Sequence, residues 1–308
     1  MYSLFVLCML VVAATAQTTA KSTLTIIDYL TARRNTNLVN LIQQAGLTDT
    51  LKGSGPYTLF APPESDLANL DTSDKTKLAA LLKYHVANGQ YKRADFYNEM
   101  SLTTLQPSSE LRVNVYLAKG IMTVEIITVE GQTMQSSDAV MSNGIVHFIK
   151  GVMTPPTGTV LDVVSKEANL TTLASVIKSA SLENFFQDQK PITLFAPTDA
   201  AFNKLGSATV QALVADPALL KSVLQYHVVP GTLYRASYHS SYLHTFEEAD
   251  RIRLSQFLFF SYEADNGSMV GNELSATNGV VQVIDEVLIP SSLSGQVKAL
   301  TAGTTTAV

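Results

Sequence analysis

The chain has 308 residues, 46% of them hydrophobic and 15% charged, with a net charge of −5 at neutral pH. That is enough chain for about two domains of ordinary size, each able to enclose a core. It is too apolar and too sparsely charged for a disordered tail, and with no Lys/Arg cluster or basic stripe it offers no track for a phosphate backbone, so no nucleic-acid partner is expected.

In chain order, Leu4 to Ala14 is an apolar run of signal-peptide length, and Ala14-Thr15-Ala16 before Gln17 fits the small-x-small cleavage rule. A signal peptide over residues 1–16 is predicted, and with it secretion. The run is shorter than the roughly 20 apolar residues a bilayer requires, so no membrane insertion is expected. The single cysteine, Cys8, falls in that segment. The mature chain then has neither thiol nor disulfide and depends on its cores alone.

Ile26, Ile27 and Leu30, then Leu38, Leu41 and Ile42, follow helical spacing. Thr58-Leu59-Phe60-Ala61 is too short for a helix and apolar on both faces, which predicts a buried strand ended by Pro62. The acids Glu64, Asp66, Asp71 and Asp74 lack the one-three-five spacing and central glycine of a calcium loop. Helix capping, with Ser65 or Ser73 opening a turn, is the better reading. Leu78, Leu81, Leu82 and His85 return to helical spacing. From Leu111 the period becomes two: Leu111, Val113, Val115 and Leu117 alternate with polar residues, and Val124 and Ile126 continue beyond a Lys119-Gly120 turn. Asn143-Gly144 reads as a turn into a closing strand, Ile145 to Ile149.

The series then repeats. Val160, Leu161 and Val164, then Leu173, Val176 and Ile177, are again helical, and so are Leu220, Val223, Leu224 and His227. Ile252, Leu254 and the aromatic stretch Phe257 to Tyr262 take up the strand pattern. Thr58 to Pro62 returns as Thr193 to Pro197, Tyr84-His85-Val86 as Tyr226-His227-Val228, and Asn143-Gly144-Ile145-Val146 as Asn278-Gly279-Val280-Val281. The first and third pairs lie 135 residues apart (60 and 195, 143 and 278), the middle pair 142 (85 and 227). The second copy is therefore longer before its Tyr-His and shorter after it, a change that belongs in surface connections. Solenoid units are only about 20–50 residues, so this period marks tandem domains. The Pro/Gly composition of Thr154 to Gly158 marks the boundary, which places domains at 24–156 and 157–291 and a flexible tail at 292–308. Helices first and strands after make each an α+β domain.

These residues resemble a known family. Thr-Leu-Phe-Ala-Pro, Tyr-His at a helix end, and Asn-Gly-x-Val leading to Val-x-x-Pro are similar to the signatures of fasciclin-type domains, with Phe60, Pro62, His85, Phe195, Pro197 and His227 as the structural motif residues. Copy two, with Thr198-Asp199 after the proline, is the closer match; copy one has Pro63-Glu64, and His147 where copy two has Gln282. The resemblance implies two wedges of twisted β-sheet with helices packed along one side. It also implies an extracellular or cell-surface protein of adhesion or matrix.

His85 and His227 each continue the apolar face of their helix, at the end where a protonated ring would favour the helix dipole. A buried, hydrogen-bonded structural role outweighs a ligand or base there. One histidine per domain cannot supply the three or four ligands of a metal site, and no nucleophile elbow, zinc-protease motif, phosphate loop or dinucleotide fingerprint occurs. Neither catalytic residue, cofactor nor metal is expected. Asn169-Leu170-Thr171 and Asn266-Gly267-Ser268 are glycosylation sequons, one opening a helix and one at a hairpin turn. Tyr234, Tyr238 and Tyr242, beside Arg235, form the candidate binding surface, in a region where the copies differ. The expected partner is a cell-surface receptor or a matrix protein or polysaccharide; the alternative is a structural matrix component of cuticle, shell or other hard tissue. The family's integrin-directed Asp-Ile pair is missing near both Tyr-His helices, and Arg-Gly-Asp occurs nowhere.

Overall fold

The computed structural model describes residues 23–119, 123–188, 191–238, 240–257 and 261–303. The predicted signal peptide with Cys8, Gly120 of the predicted turn and residues 258–260 of the aromatic stretch lie outside them. In the first copy, Thr25 and Asp28 form a capping box that starts α1 (Ile26–Ala32), whose Ile26, Ile27 and Leu30 are buried. α2 (Thr36–Gln44) and α3 (Thr48–Lys52) follow. The predicted strand is β1 (Tyr57–Ala61), ending before Pro62. After α4 (Glu64–Leu67), Asp74 caps α5 (Lys75–Tyr84) by accepting from the backbone N–H groups of Thr76 and Lys77. β2 (Val86–Asn88), β3 (Met100–Thr103), β4 (Glu110–Lys119), β5 (Thr123–Val129), β6 (Gln132–Met141) and β7 (Gly144–Ile149) complete the copy. They form one seven-stranded sheet in the order β2-β1-β7-β6-β5-β4-β3. β1 runs parallel to β7 and the other neighbours are antiparallel. The sequence alternation does not reveal β6, because register shifts around Ser136 break the period of two.

The second copy repeats this plan. α6 (Val160–Lys166) opens on a Thr159/Asp162 capping box, followed by α7 (Thr171–Ser179), α8 (Glu183–Asp188) and β8 (Ile192–Pro197). α9 (Asp199–Leu205) and α10 (Ser207–Ala215) lead to α11 (Pro217–Tyr226), which has Asp216 as cap and proline at its first position. β9 (Val228–Pro230), β10 (Ser241–His244), β11 (Arg251–Phe257), β12 (Ser261–Ala264), β13 (Gly267–Ser268), β14 (Leu274–Ala276) and β15 (Gly279–Ile284) follow. Here the strands form two four-stranded groups, β10-β11-β12-β13 and β14-β15-β8-β9, with β8 parallel to β15 and a Met269–Ile284 bridge between the groups.

Among the described residues there are four apolar clusters, two among residues 26–153 and two among residues 160–297, and none mixes buried side chains of the two copies. The expectation of a flexible tail from 292 is corrected. A 3-10 turn, Ser291–Leu293, leads into α12 (Ser294–Gly303). Val297 is buried there, and Leu293 and Leu300 pack against the same core. The small residues around them hide the anchors in the sequence, while contact with α10 supplies the apolar partner.

Candidate binding surface and domain junction

The repeated signatures are occupied in holding each domain together. Phe60 and Phe195 are fully buried, and Pro62 and Pro197 are buried beside them. His85 Nδ1 lies 2.8 Å from Leu81 O, and its Nε2 accepts from the N–H of Met153 at 3.0 Å. His227 does the same with Val223 O at 2.8 Å and the N–H of Leu288 at 2.9 Å. A backbone N–H can only donate, so Nε2 is the acceptor and Nδ1 carries the proton. Both rings are therefore neutral, so neither adds a charge to the helix dipole. Burial pushes each imidazole down to about 4, against the raising effect of the Leu81 or Val223 carbonyl. The Tyr-His signature thereby ties its helix to the Val-x-x-Pro signature at the end of the copy.

The other signatures act in the same way. Asn143 Oδ1 accepts the Ile26 N–H at 3.0 Å while its Nδ2 donates to Leu51 O and Gly53 O at 2.7 and 2.8 Å. Asn278 does so with Val160 N–H, Phe186 O and Gln187 O. A Cβ on the following Gly144 or Gly279 would sit 2.2 Å from Tyr57 O or 1.9 Å from Ile192 O, so glycine is required where the parallel strands meet. Glu64 and Asp199 stand at equivalent positions: Glu64 accepts from the N–H groups of Asn37 and Leu38, and Asp199 from the N–H of Thr172 and the hydroxyl of Thr171. Each thus caps the second helix of its copy. Of the other acids in this stretch, Asp74 rather than Ser73 opens α5, Asp71 accepts the Ser73 N–H and Asp66 the Ser65 hydroxyl, each at 2.9 Å. Among the described residues no group of three or more His, Cys, Asp or Glu side chains is placed to hold a metal ion.

The surface that joins the copies is polar. β4 turns Leu111 and Val113 into the core and Arg112, Asn114 and Tyr116 to its other face, where Asn114 pairs with Thr128 of β5. Alternation alone assigns that face to water, yet Asn114 and Thr128 are fully buried because domain 2 covers it. The Arg112 guanidinium donates to the carbonyls of Ala276, Gly279 and Thr277 at 3.3, 3.2 and 2.7 Å, and its Nε lies 3.5 Å from Glu99 Oε2. Glu99 accepts from the N–H and hydroxyl of Thr232 at 2.7 and 3.1 Å, and Tyr116 donates to Thr232 O at 2.8 Å. Glu130 accepts the Arg112 N–H at 2.6 Å and the Tyr234 hydroxyl at 3.4 Å. Burial pushes the Glu130 carboxyl up, against the lowering effect of Arg112. Gly131 has a φ of +78°, and a Cβ there would meet the Tyr234 ring at 2.7 Å. Clefts of about 440 and 370 Å3 flank the Pro155-Pro156 linker, with Glu130 lining both.

The tyrosine expectation is corrected by this packing. Tyr234 is fully buried in the junction, and Tyr238 is buried with its ring edge-on to Tyr262, 5.3 Å between centroids. Neither can meet a partner. Tyr242 of β10 is 65% exposed. The variable segment holds tyrosines of both kinds because β10 is paired on one side only and its alternate residues face outward. Asn169, in the turn before α7, and Asn266, in the two-residue hairpin between β12 and β13, are both exposed. No helix among the described residues is long and apolar enough to cross a membrane.

The chain is 24% identical to human periostin over 270 residues, covering 85% of this chain and 31% of periostin. It is 25% identical over 256 residues to transforming growth factor-beta-induced protein ig-h3 of Sus scrofa, covering 80% of this chain and 36% of that protein. It thus spans about a third of the length of these relatives. Among solved structures it resembles a domain pair from the insect cell adhesion molecule Fasciclin I, at 21% identity and a TM-score of 0.43, covering 85% of this chain and 98% of that one. The fasciclin domain family matches residues 33–155 and again 168–290, so the chain belongs to that family and carries its domain twice.

Proposed function

We propose that this chain is a secreted, non-enzymatic binding protein that acts in adhesion at the cell surface or in the matrix, its two domains presenting their variable surfaces at a fixed mutual geometry. The observation that carries the reading is the commitment of every repeated signature to the scaffold. Both ring nitrogens of His85 and of His227 are hydrogen-bonded inside their domains, so the polar groups common to both copies are not free for chemistry. Binding then falls to what differs between the copies and stays exposed. Two binding faces held on one body raise the effective concentration of the second contact once the first is made. The exposed Asn169 and Asn266 sequons suit glycan attachment on a secreted chain.

The test is a pull-down with the secreted protein on matrix extracts and on membrane fractions, paired with a cell-attachment assay. Recovery of a receptor, with attachment, supports adhesion; recovery of matrix polymer without attachment supports the structural alternative. Hydrolysis of any matrix substrate that survives purification to homogeneity refutes the non-enzymatic reading.

A further inference from the structure

On a chain of net charge −5, one sheet face stands apart. Along β10, Tyr242 and His244 point outward, and along β11, Arg251 and Arg253 do; all four are exposed. The register places Tyr242 opposite Arg253 and His244 opposite Arg251, so the four side chains make a square on a single face. The inward neighbours Ile252 and Leu254 are buried in the core, which fixes the orientation of the face. Among the described residues neither guanidinium forms an ion pair.

Of the acids in the loop between β10 and β11, Glu247 accepts the backbone N–H groups of Ala249 and Asp250 at 3.1 and 3.2 Å, and Glu248 is exposed beside the face. Asp265 accepts the Arg253 N–H at 2.8 Å and the Tyr226 hydroxyl at 2.7 Å. Asp250 holds the Ser291 hydroxyl at 2.6 Å and the Ser292 N–H at 2.9 Å. Glu263, opposite Ser255, is the acid left on the β12 side of the face.

We infer that the outer face of β10 and β11 docks an anionic glycan, with Arg251 and Arg253 taking its sulfates or uronates and Tyr242 stacking on a sugar ring; this rests on the binding reading above and names its partner class. The argument is charge and shape together. Residues two apart on a strand project roughly 7 Å from each other on one face, which spreads two planar guanidiniums along a polymer that carries an anionic group on successive rings. A guanidinium meets a carboxylate or sulfate with two parallel N–H donors, which an ammonium cannot do. The exposed phenol adds a flat apolar surface with a polar tip. An acidic peptide would instead use the unpaired edge of β10 by strand addition.

The test uses the full secreted chain on biosensors coated with heparin, with hyaluronan, which carries uronates but no sulfate, and with neutral dextran. Binding to heparin or hyaluronan that weakens with salt, without binding to dextran, is expected; the better of the two identifies the anionic group. Arg251→Ser with Arg253→Ser should weaken it at least about tenfold at unchanged melting temperature. Glu263→Gln, which removes the acid from the face, should strengthen it about two- to threefold and does not depend on the double variant folding. Absence of binding to both anionic glycans, or full binding by the folded double variant, would overturn the inference. If the double variant loses glycan binding and keeps full cell attachment, the wider adhesion reading stands through another partner. If no matrix or cell partner is captured at all, that wider reading fails.

Discussion

Replacing His227 by phenylalanine tests the central physical claim, that each Tyr-His signature is a neutral buried clamp. The ring is close in volume, so the void term is small; what changes is that the Leu288 N–H and the Val223 carbonyl lose their partner in a buried site. An orphaned buried backbone group costs about 1–3 kcal/mol, so His227→Phe should lower the stability of domain 2 by about 2–4 kcal/mol at pH 7.5. The pH dependence is the sharper readout. An unfolded histidine titrates near 6.5 and the folded one near 4. Between those values the unfolded chain binds the extra proton, so the stabilisation is fully present above pH 6.5 and is lost as pH falls towards 4. From pH 7.5 to pH 5 the linkage amounts to about 2 kcal/mol for this one group. Burial raises Glu130 and Glu273, and they act in the opposite sense, losing stability as pH rises; both proteins carry them, so they cancel in the difference. Denaturant unfolding of wild type and variant at the two pH values should show the gap between them closing by about 2 kcal/mol at pH 5. A gap that is the same at both values would refute the neutral clamp.

Three further outcomes are expected. Arg112→Leu strips three domain 2 carbonyls and Glu99 of their partner and should weaken the docking of the domains by about 2–4 kcal/mol, read by calorimetry as one broad transition splitting into two; a single unshifted transition would show that Arg112 does not couple them. Residues 24–156 and 157–291 expressed alone should each unfold cooperatively, since no apolar cluster among the described residues crosses between them, but 157–303 should be more stable than 157–291 by about 1–3 kcal/mol through burial of Val297 and its neighbours, and equal melting temperatures would refute a packed α12. Tyr242→Ser should leave the melting temperature unchanged because the side chain is exposed, whereas Tyr238→Ser should lower stability by about 2–4 kcal/mol by emptying a core site; equal effects would contradict the assignment of inner and outer faces.

Local periodicity by itself determined the duplicated α+β plan, the buried Thr-Leu-Phe-Ala strands and the apolar placement of His85 and His227, because spacing of 3.6 or 2 residues is a property of one element and needs no partner to be visible. Which groups those histidines hold was not legible: Met153 and Leu288 lie 68 and 61 residues further on, and only the folded chain brings them to the ring. The same holds for Asn143 and Asn278, which read as turn residues and act as buried links between three segments. Alternation along β4 states that Arg112, Asn114 and Tyr116 share a face, but not whether water or a second domain covers it. Tertiary structure decided that question in favour of domain 2, where the backbone carbonyls of Ala276, Thr277 and Gly279 satisfy a guanidinium that the sequence leaves to solvent. It also separated Tyr234 and Tyr238, buried, from Tyr242, exposed, since burial depends on what packs over a side chain and not on its residue type.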